Sequence, residues 1–330
     1  MQKLTPMDKL DQIRLPIVKE FEEFKDLFNS SLYSSNPLLN EVLSYVKGRN
    51  GKMMRPVLIL LIAKLLDRVG DSTLHAALSL ELLHTASLIH DDVVDESDKR
   101  RGQSSVNAIY NNKVSVLVGD YMLATSLKHS SLTNNIEIVN LVARLGQHLS
   151  EGEIIQLSSI NNDIFSEELY YEIIKKKTAA LFIASSEVAG LSVNCSKDTL
   201  EKLKLFGEYL GIAFQIKDDI MDYYTSELLG KPTGNDINEG KLTLPALHVL
   251  NKMYDEKMHS VAKRIRGIRA TQDERDEFVA YIKSNGGIEY AEDVMREYCR
   301  KAINLLPEDG NPDLIESLRI YISYIIEREK

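Results

Sequence analysis

The chain has 330 residues, 44% hydrophobic and 27% charged, and these proportions are typical of a globular protein rather than a disordered or fibrous one. Its formal net charge of −9 argues against a nucleic-acid partner, because nucleic-acid binding requires a clustered basic surface. The two cysteines, Cys195 and Cys299, lack metal-ligand spacing, so we expect free thiols rather than a disulfide framework or a zinc site.

The N-terminal segment carries acidic residues among its apolar ones and lacks the uninterrupted apolar core of a signal peptide. The most apolar run, from Val57 to Leu66, is interrupted by Lys64 and is much shorter than the ~20 residues that span a bilayer. We therefore expect a cytoplasmic protein with at most peripheral membrane contact, for instance during product release.

Proline is absent between Pro56 and Pro232, and apolar residues recur at helical spacing throughout this stretch. The predicted helices cover residues 57–68, 73–95, 114–130, 136–157, 167–189 and 197–223. Residues 74–89 are apolar nearly all round, which indicates a helix buried on most sides. With no linker or change of composition, the pattern predicts one all-α domain over residues 1–330, a large helix bundle.

Two aspartate clusters end two of the predicted helices. The clusters are Asp91, Asp92 and Asp95, and Asp218, Asp219 and Asp222. In each, the first and last aspartates are four residues apart and share a helix face, at the negative end of the helix dipole. Carboxylates placed there repel one another, so they indicate a bound cation, and hard oxygen ligands favour Mg²⁺.

A lone DDxxD motif is as easily a solvated acidic helix end as a metal site. Two copies favour the metal site, because each closes an apolar helix and also has further side chains beside it that can take part in chemistry. These are His84 and His90 before the first cluster, Arg100 and Arg101 after it, Gln215 before the second, and Lys231 after it. Metal and cationic side chains together predict a site for a diphosphate leaving group.

With these motifs the chain resembles the trans-isoprenyl diphosphate synthases, also called polyprenyl synthetases. Further matching segments are Gly51–Pro56, Gly119-Asp120, Lys177-Thr178, Gly230–Asp236 and Glu239–Lys241. The resemblance implies an all-α fold of the isoprenoid synthase type with a deep central cavity, usually in a homodimer.

The resemblance also implies a role for each matching residue. The Mg²⁺ ligands would be Asp91 and Asp95 for two ions and Asp218 for a third, with Asp92, Asp219 and Asp222 supporting. The allylic diphosphate would be bound by Arg100, Lys177, Thr178, Gln215, Lys231 and Lys241. Isopentenyl diphosphate would be bound by Lys52, Arg55, His84 and Arg101. Of these, Asp91, Asp95, Asp218, Lys177 and Arg100 would be catalytic.

The reaction implied is ionisation of the allylic diphosphate, attack by isopentenyl diphosphate on the cation, and loss of a proton. Product length would depend on the helix wall beneath Asp91, where Ala86 and Ser87 are small and Leu83 and Leu80 lie further down. From Thr73 to Asp91 this wall is roughly 27 Å long. We expect a heptaprenyl to octaprenyl product, plausible as a quinone side chain, with Tyr121 as a candidate floor.

Three alternatives are open. The chain could be a short-chain synthase making farnesyl or geranylgeranyl diphosphate, which only product analysis distinguishes. A class I terpene cyclase is disfavoured by the second DDxxD and by Lys52, Arg55 and Arg101, which fit a second diphosphate. A non-catalytic subunit of a heteromeric synthase is expected to have lost metal-binding carboxylates, and this chain keeps all six aspartates.

Overall fold

The computed structural model describes residues 8–49, 51–100, 102–159, 165–224 and 234–327. Seventeen α-helices cover most of this part of the chain. They are α1 Lys9–Arg14, α2 Val18–Ser31, α3 Pro37–Lys47, α4 Met54–Leu66, α5 Asp71–Val94, α6 Val106–Tyr110, α7 Asn112–Leu132, α8 Ile136–Ser159, α9 Glu167–Ile174, α10 Ala180–Ser192, α11 Lys197–Asp222, α12 Asn235–Asn238, α13 Leu244–Lys252, α14 Glu256–Arg266, α15 Gln272–Ser284, α16 Gly287–Ile303 and α17 Pro312–Glu327.

Three short elements complete the described structure. A 3₁₀ turn, Leu15–Ile17, joins α1 to α2, and a π turn, Lys175–Ala179, joins α9 to α10. Strands β1 (Lys99–Arg100) and β2 (Gln103–Ser104) form an antiparallel hairpin. Gly102 has φ +76° in its turn, a conformation that glycine adopts without steric cost. The fold is therefore all-α, as predicted.

The described residues form two compact units, each built from separate stretches of the chain. The first comprises described residues within Met1–Gln147, Leu181–Gly207 and Leu305–Tyr324, and the second those within His148–Ala180, Glu208–Asn304 and Ile325–Lys330. The prediction of one domain over the whole chain stays a prediction.

In the first unit, α5 packs along α7 and also contacts α2 and α4. Apolar side chains of α4 are buried on every face from Val57 to Ala63, and α5 is buried on most sides between Ala76 and Ala86. This confirms the prediction from the nearly all-round apolar pattern of residues 74–89. Since α5 is 24 residues long, it spans about 36 Å.

In the second unit, α13 packs against α9, α15 and α16, and α15 also contacts α14. The predicted helix over residues 167–189 is interrupted by the π turn, which the apolar pattern did not reveal. A single π turn keeps the backbone helical and disturbs the 3.6-residue repeat by only one residue. Among the residues described in both units, no helix is both long and apolar enough to cross a bilayer.

Candidate active site

The first aspartate cluster ends α5, in the first unit. Asp91 is half-buried, Asp95 is exposed, and Asp92 is only 4% exposed. Asp95 is the C-cap, and its N–H donates to the Asp91 carbonyl oxygen at 2.8 Å. The outer two carboxylates are thus accessible to a cation, whereas the middle one points inward.

Asp92 forms an ion pair with Arg100 of β1, in which Arg100 Nε donates to Asp92 Oδ1 at 2.7 Å. Burial raises the pKa of Asp92, and the charge and hydrogen bond of Arg100 oppose that shift. Asn107 stabilises the backbone around Asp92, because its Nδ2 donates to the backbone oxygens of Asp92 and Ser97. A guanidinium has five N–H donors, so pairing through Nε is compatible with binding a diphosphate as well.

His90, directly before the cluster, packs against the backbone of α7 at Gly119. A Cβ at position 119 would lie 2.2 Å from His90 Nε2, so only glycine fits beside the ring in its present position. His90 Nε2 is also 3.2 Å from the Val116 carbonyl oxygen and 3.5 Å from an Asp120 carboxylate oxygen. The Gly119-Asp120 segment therefore anchors the end of α5 that carries the aspartates.

Two predicted ligands of isopentenyl diphosphate lie at the start of α4. Lys52 Nζ donates to the Tyr324 hydroxyl of α17 at 2.6 Å and lies 5.3 Å from the centre of its ring. The Arg55 guanidinium lies 5.7 Å from the centre of the Phe182 ring. Tyr324 is 272 residues from Lys52, so no local pattern in the sequence could have indicated this contact.

His84, the third of these predicted ligands, is 8% exposed on α5, two helical turns before Asp91. Arg101, the fourth, lies outside the described residues, as does Lys231. The residues predicted to set product length also lie in the first unit.

Ala86, Leu83 and Leu80 are buried in the core of the first unit, and Ser87 is half-buried. The Ser87 hydroxyl donates to the His84 carbonyl oxygen of its own helix at 2.9 Å. Tyr121 donates through its hydroxyl to the Tyr33 carbonyl oxygen at 3.1 Å. Ala86 and Ser87, five and four residues before Asp91, have small side chains, and their role in product length stays a prediction.

The second aspartate cluster ends α11, in the second unit. Asp218 is half-buried, whereas Asp219 and Asp222 are buried. Asp219 Oδ1 accepts a hydrogen bond from Gln215 Nε2 at 2.7 Å, and its Oδ2 accepts one from the Tyr170 hydroxyl at 2.5 Å. Burial and the nearby Asp236 raise the pKa of Asp219, and the two hydrogen bonds oppose the shift.

Asp222 organises the loop that follows the cluster. Its Oδ2 accepts the Asp236 N–H at 3.0 Å, and its carbonyl oxygen accepts the Gly234 N–H at 3.0 Å. The Lys241 N–H then donates to the Asp236 carbonyl oxygen at 2.7 Å, and the Lys241 ammonium pairs with Glu239. Asp222 is therefore engaged in backbone contacts that fix the position of Lys241.

Lys177 and Thr178 lie in the π turn, a distortion frequently seen at functional sites. Lys177 forms an ion pair with Glu153 and lies 3.3 Å from Gln156 Oε1. The Thr178 hydroxyl donates to Gln215 Oε1 at 2.5 Å. The π turn is thus connected to the second aspartate cluster through Thr178 and Gln215.

Gly152 of α8 allows α8 to approach this turn closely. A Cβ there would lie 3.1 Å from both Lys176 Cβ and the Lys177 nitrogen, tighter than ordinary van der Waals contact. Sequence reasoning missed Gly152 and Tyr170. Tyr170 lies seven residues before Lys177, about two helical turns away. This spacing, which places both residues on one face of a regular helix, is the sequence signal that could have indicated Tyr170.

The carboxylates of the two aspartate clusters suit a divalent cation that is also bound by phosphate oxygens of the substrate. Within the described ranges, no group of three or more His, Cys, Asp or Glu side chains could hold a metal by itself. Mg²⁺ usually takes one or two carboxylates and completes its octahedron with waters and phosphate oxygens. In the first unit the carboxylates of Asp91 and Asp95, and in the second unit that of Asp218, are at least partly exposed.

Comparison with known proteins shows the family. The polyprenyl synthetase family model matches residues 36–282, and the chain belongs to this family. It is 32% identical to the octaprenyl diphosphate synthase of Haemophilus influenzae over 96% of both chains. It is a prenyltransferase with the all-α isoprenoid synthase fold.

Two solved structures share this fold. The geranylgeranyl pyrophosphate synthase of Bacteroides thetaiotaomicron superposes with a TM-score of 0.85 at 49% identity, over 98% of this chain and 100% of that one. The polyprenyl synthase of Caulobacter crescentus, solved with calcium and isoprenyl diphosphate, superposes with a TM-score of 0.88 at 30% identity, over 98% and 99%. The calcium in the second structure fits the use of a divalent metal.

Proposed function

We propose that the chain is an all-trans polyprenyl diphosphate synthase that condenses isopentenyl diphosphate onto an allylic diphosphate. The observation that carries the proposal is the pair of aspartate clusters at two helix ends. In each, the first aspartate is only half-buried, and the buried middle aspartate accepts a hydrogen bond from a guanidinium or an amide. A terpene cyclase or a non-catalytic subunit does not require both clusters to be intact.

Mg²⁺, about three ions, would be held by Asp91, Asp95 and Asp218, with Asp92, Asp219 and Asp222 in support. When bound, Mg²⁺ would neutralise the diphosphate leaving group and so lower the barrier to breaking the allylic C–O bond.

The cationic and polar side chains have complementary tasks. Arg100 and Lys177 would bind diphosphate oxygens and stabilise the charge that develops as the C–O bond breaks. Thr178, Gln215, Lys231 and Lys241 would orient the same diphosphate. Lys52, Arg55, His84 and Arg101 would hold isopentenyl diphosphate so that its alkene attacks the allylic carbon. We assign no protein base, and the departing diphosphate would accept the proton.

The expected product is long, about heptaprenyl to octaprenyl. The small side chains of Ala86 and Ser87 beneath Asp91 support this length, as does the octaprenyl product named for the Haemophilus relative. The 49% identity to a geranylgeranyl pyrophosphate synthase favours a shorter product as the second candidate.

The test is incubation with Mg²⁺, radiolabelled isopentenyl diphosphate and a series of allylic primers, followed by chain-length analysis. We expect a ladder ending at heptaprenyl or octaprenyl. Asp91→Ala and Asp218→Ala should each lower turnover by about 100-fold or more without changing the circular dichroism spectrum. A ladder ending at geranylgeranyl would support the short-chain alternative, and no incorporation at all would support the partner-subunit alternative.

We also propose that the chain acts as a homodimer in the cytoplasm. Val116, Leu117 and Leu127 expose apolar side chains along one face of α7, and such a stripe suits burial against a second copy. Sedimentation equilibrium tests this, since a monomer at micromolar concentration would contradict it.

A further inference from the structure

Tyr170 is a buried phenol that the proposed reaction has not used. It lies on α9, is 6% exposed, and donates its hydroxyl to Asp219 Oδ2 at 2.5 Å. Asp219 is 2% exposed, and its other carboxylate oxygen accepts Gln215 Nε2 at 2.7 Å. Each oxygen of this aspartate therefore has a protein donor, and the side chain is buried by its surroundings.

The hydrogen bonds continue to the π turn. Since Asp219 accepts from the NH₂ group of Gln215, the amide oxygen must point the other way, and it receives the Thr178 hydroxyl at 2.5 Å. An amide in isolation could take either orientation, because its two ends are nearly the same size. The carboxylate of Asp219 selects one of them.

We propose that Tyr170 is a positioning residue for the allylic diphosphate site. It locks the carboxylate of Asp219, which then orients Gln215 and, through Gln215, Thr178. In this assignment Asp219 binds no metal directly, and Asp218 beside it is the metal ligand of the second cluster. The assignment rests on the proposed function, because Gln215 and Thr178 are its predicted diphosphate ligands.

The test compares Tyr170→Phe with Tyr171→Phe. The first variant removes one hydroxyl and keeps the ring, and the second removes the neighbouring hydroxyl, whose ring packs 5.4 Å from that of Tyr170. For each variant, KM is measured for the allylic primer and for isopentenyl diphosphate. Binding of inorganic pyrophosphate in the presence of Mg²⁺ is measured by calorimetry, which does not depend on turnover.

For Tyr170→Phe we expect the KM of the allylic primer and the Kd of pyrophosphate to rise about tenfold, the usual effect of losing a hydrogen bond to a charged group. The KM of isopentenyl diphosphate should stay within about twofold, because its predicted ligands lie on other elements. Tyr171→Phe should match the wild type in all three. A Tyr170→Phe protein that is merely less heat-stable, with all three constants unchanged, would overturn the proposal.

A double-mutant cycle tests whether Tyr170 acts on the diphosphate site through Gln215. If Tyr170 acts through Gln215, adding Tyr170→Phe to Gln215→Ala should change the pyrophosphate Kd by less than about twofold. Fully additive effects would contradict a positioning role. These outcomes are separate from the proposed function, which is tested by prenyl transfer and product length in the wild-type protein.

Discussion

The middle aspartates of the two clusters, Asp92 and Asp219, are both internal hydrogen-bond acceptors, although the first pairs with a cation and the second with neutral groups. Both are almost fully buried, Asp92 against Arg100 and Asp219 against Gln215 and Tyr170. In a DDxxD motif at a helix end, the first and last aspartates share a face and the middle one is turned about 100° away. That rotation leaves Asp91, Asp95 and Asp218 at least partly exposed and makes each middle aspartate an internal acceptor, whereas Asp222 is buried and accepts the Asp236 N–H.

The close contact between Gly119 and the His90 ring is possible only because Gly119 lacks a Cβ atom. We expect Gly119→Ala to lower the free energy of unfolding by about 1–2 kcal/mol, because the new methyl group would occupy the space of the His90 ring. Urea denaturation measures the change. Adding His90→Ala should restore most of the loss, since the smaller side chain leaves room for the methyl group. A Gly119→Ala protein as stable as the wild type would show that the ring moves aside without cost.

At the scale of elements, α5 and α11 are long helices whose last turns carry the aspartates, at the negative ends of their dipoles. This placement is unfavourable for carboxylates unless cations offset it. Beside α5, Arg100 does so in part through its ion pair with Asp92. The end of α5 is therefore prepared for a further cation, as the proposed function requires.

Ala86→Phe tests the prediction that the α5 residues before Asp91 limit product length. We expect shorter products, because the ring would fill space below the aspartates that we predict the growing chain to occupy. Thin-layer chromatography of the product ladder measures the effect. Ser87→Phe, at a half-buried position that tolerates a ring more easily, should act in the same direction.

The matched control is Ala77→Phe, at a buried alanine nine residues earlier and about 180° around α5 from Ala86. It overpacks the same helix and should cost a similar 1–3 kcal/mol of stability while leaving product length unchanged. If both substitutions shortened the product equally, general destabilisation rather than a blocked path would be the cause.

At the scale of the whole molecule, stability should depend on pH through His129 of α7. Its Nδ1 lies 2.9 Å from Nδ1 of His75, and burial, together with the charges of His75 and Lys128, lowers the pKa of His129 to about 4. In the unfolded chain the pKa is near 6.5, so between pH 6.5 and 4 the unfolded state binds more protons. Acidification through this range therefore destabilises the fold.

We expect the contribution of His129 to the free energy of unfolding to be on the order of 2 kcal/mol. It should be fully present above pH 6.5 and lost by pH 4. The measurement is the difference in unfolding free energy between the wild type and His129→Gln at pH 7 and at pH 4. The wild type should lose more stability, because the variant lacks the titrating ring. A difference that does not change with pH would contradict the assignment.

The amino-acid sequence was sufficient to predict the fold class and the type of reaction. Helical spacing of apolar residues and the absence of proline over a long stretch depend only on local geometry, and the family comparison confirms the prenyltransferase prediction made from the two DDxxD motifs. The roles of individual residues, including those in product length, stay predictions.

Only the tertiary structure decided which partners these residues have. Tyr170 bonds to Asp219 across 49 positions, and Lys52 bonds to Tyr324 across 272. Helical periodicity carries no information about such pairs, because they depend on how distant helices pack. The π turn at Lys177 was hidden for a related reason, since one extra residue in a helical turn leaves the apolar pattern almost unchanged.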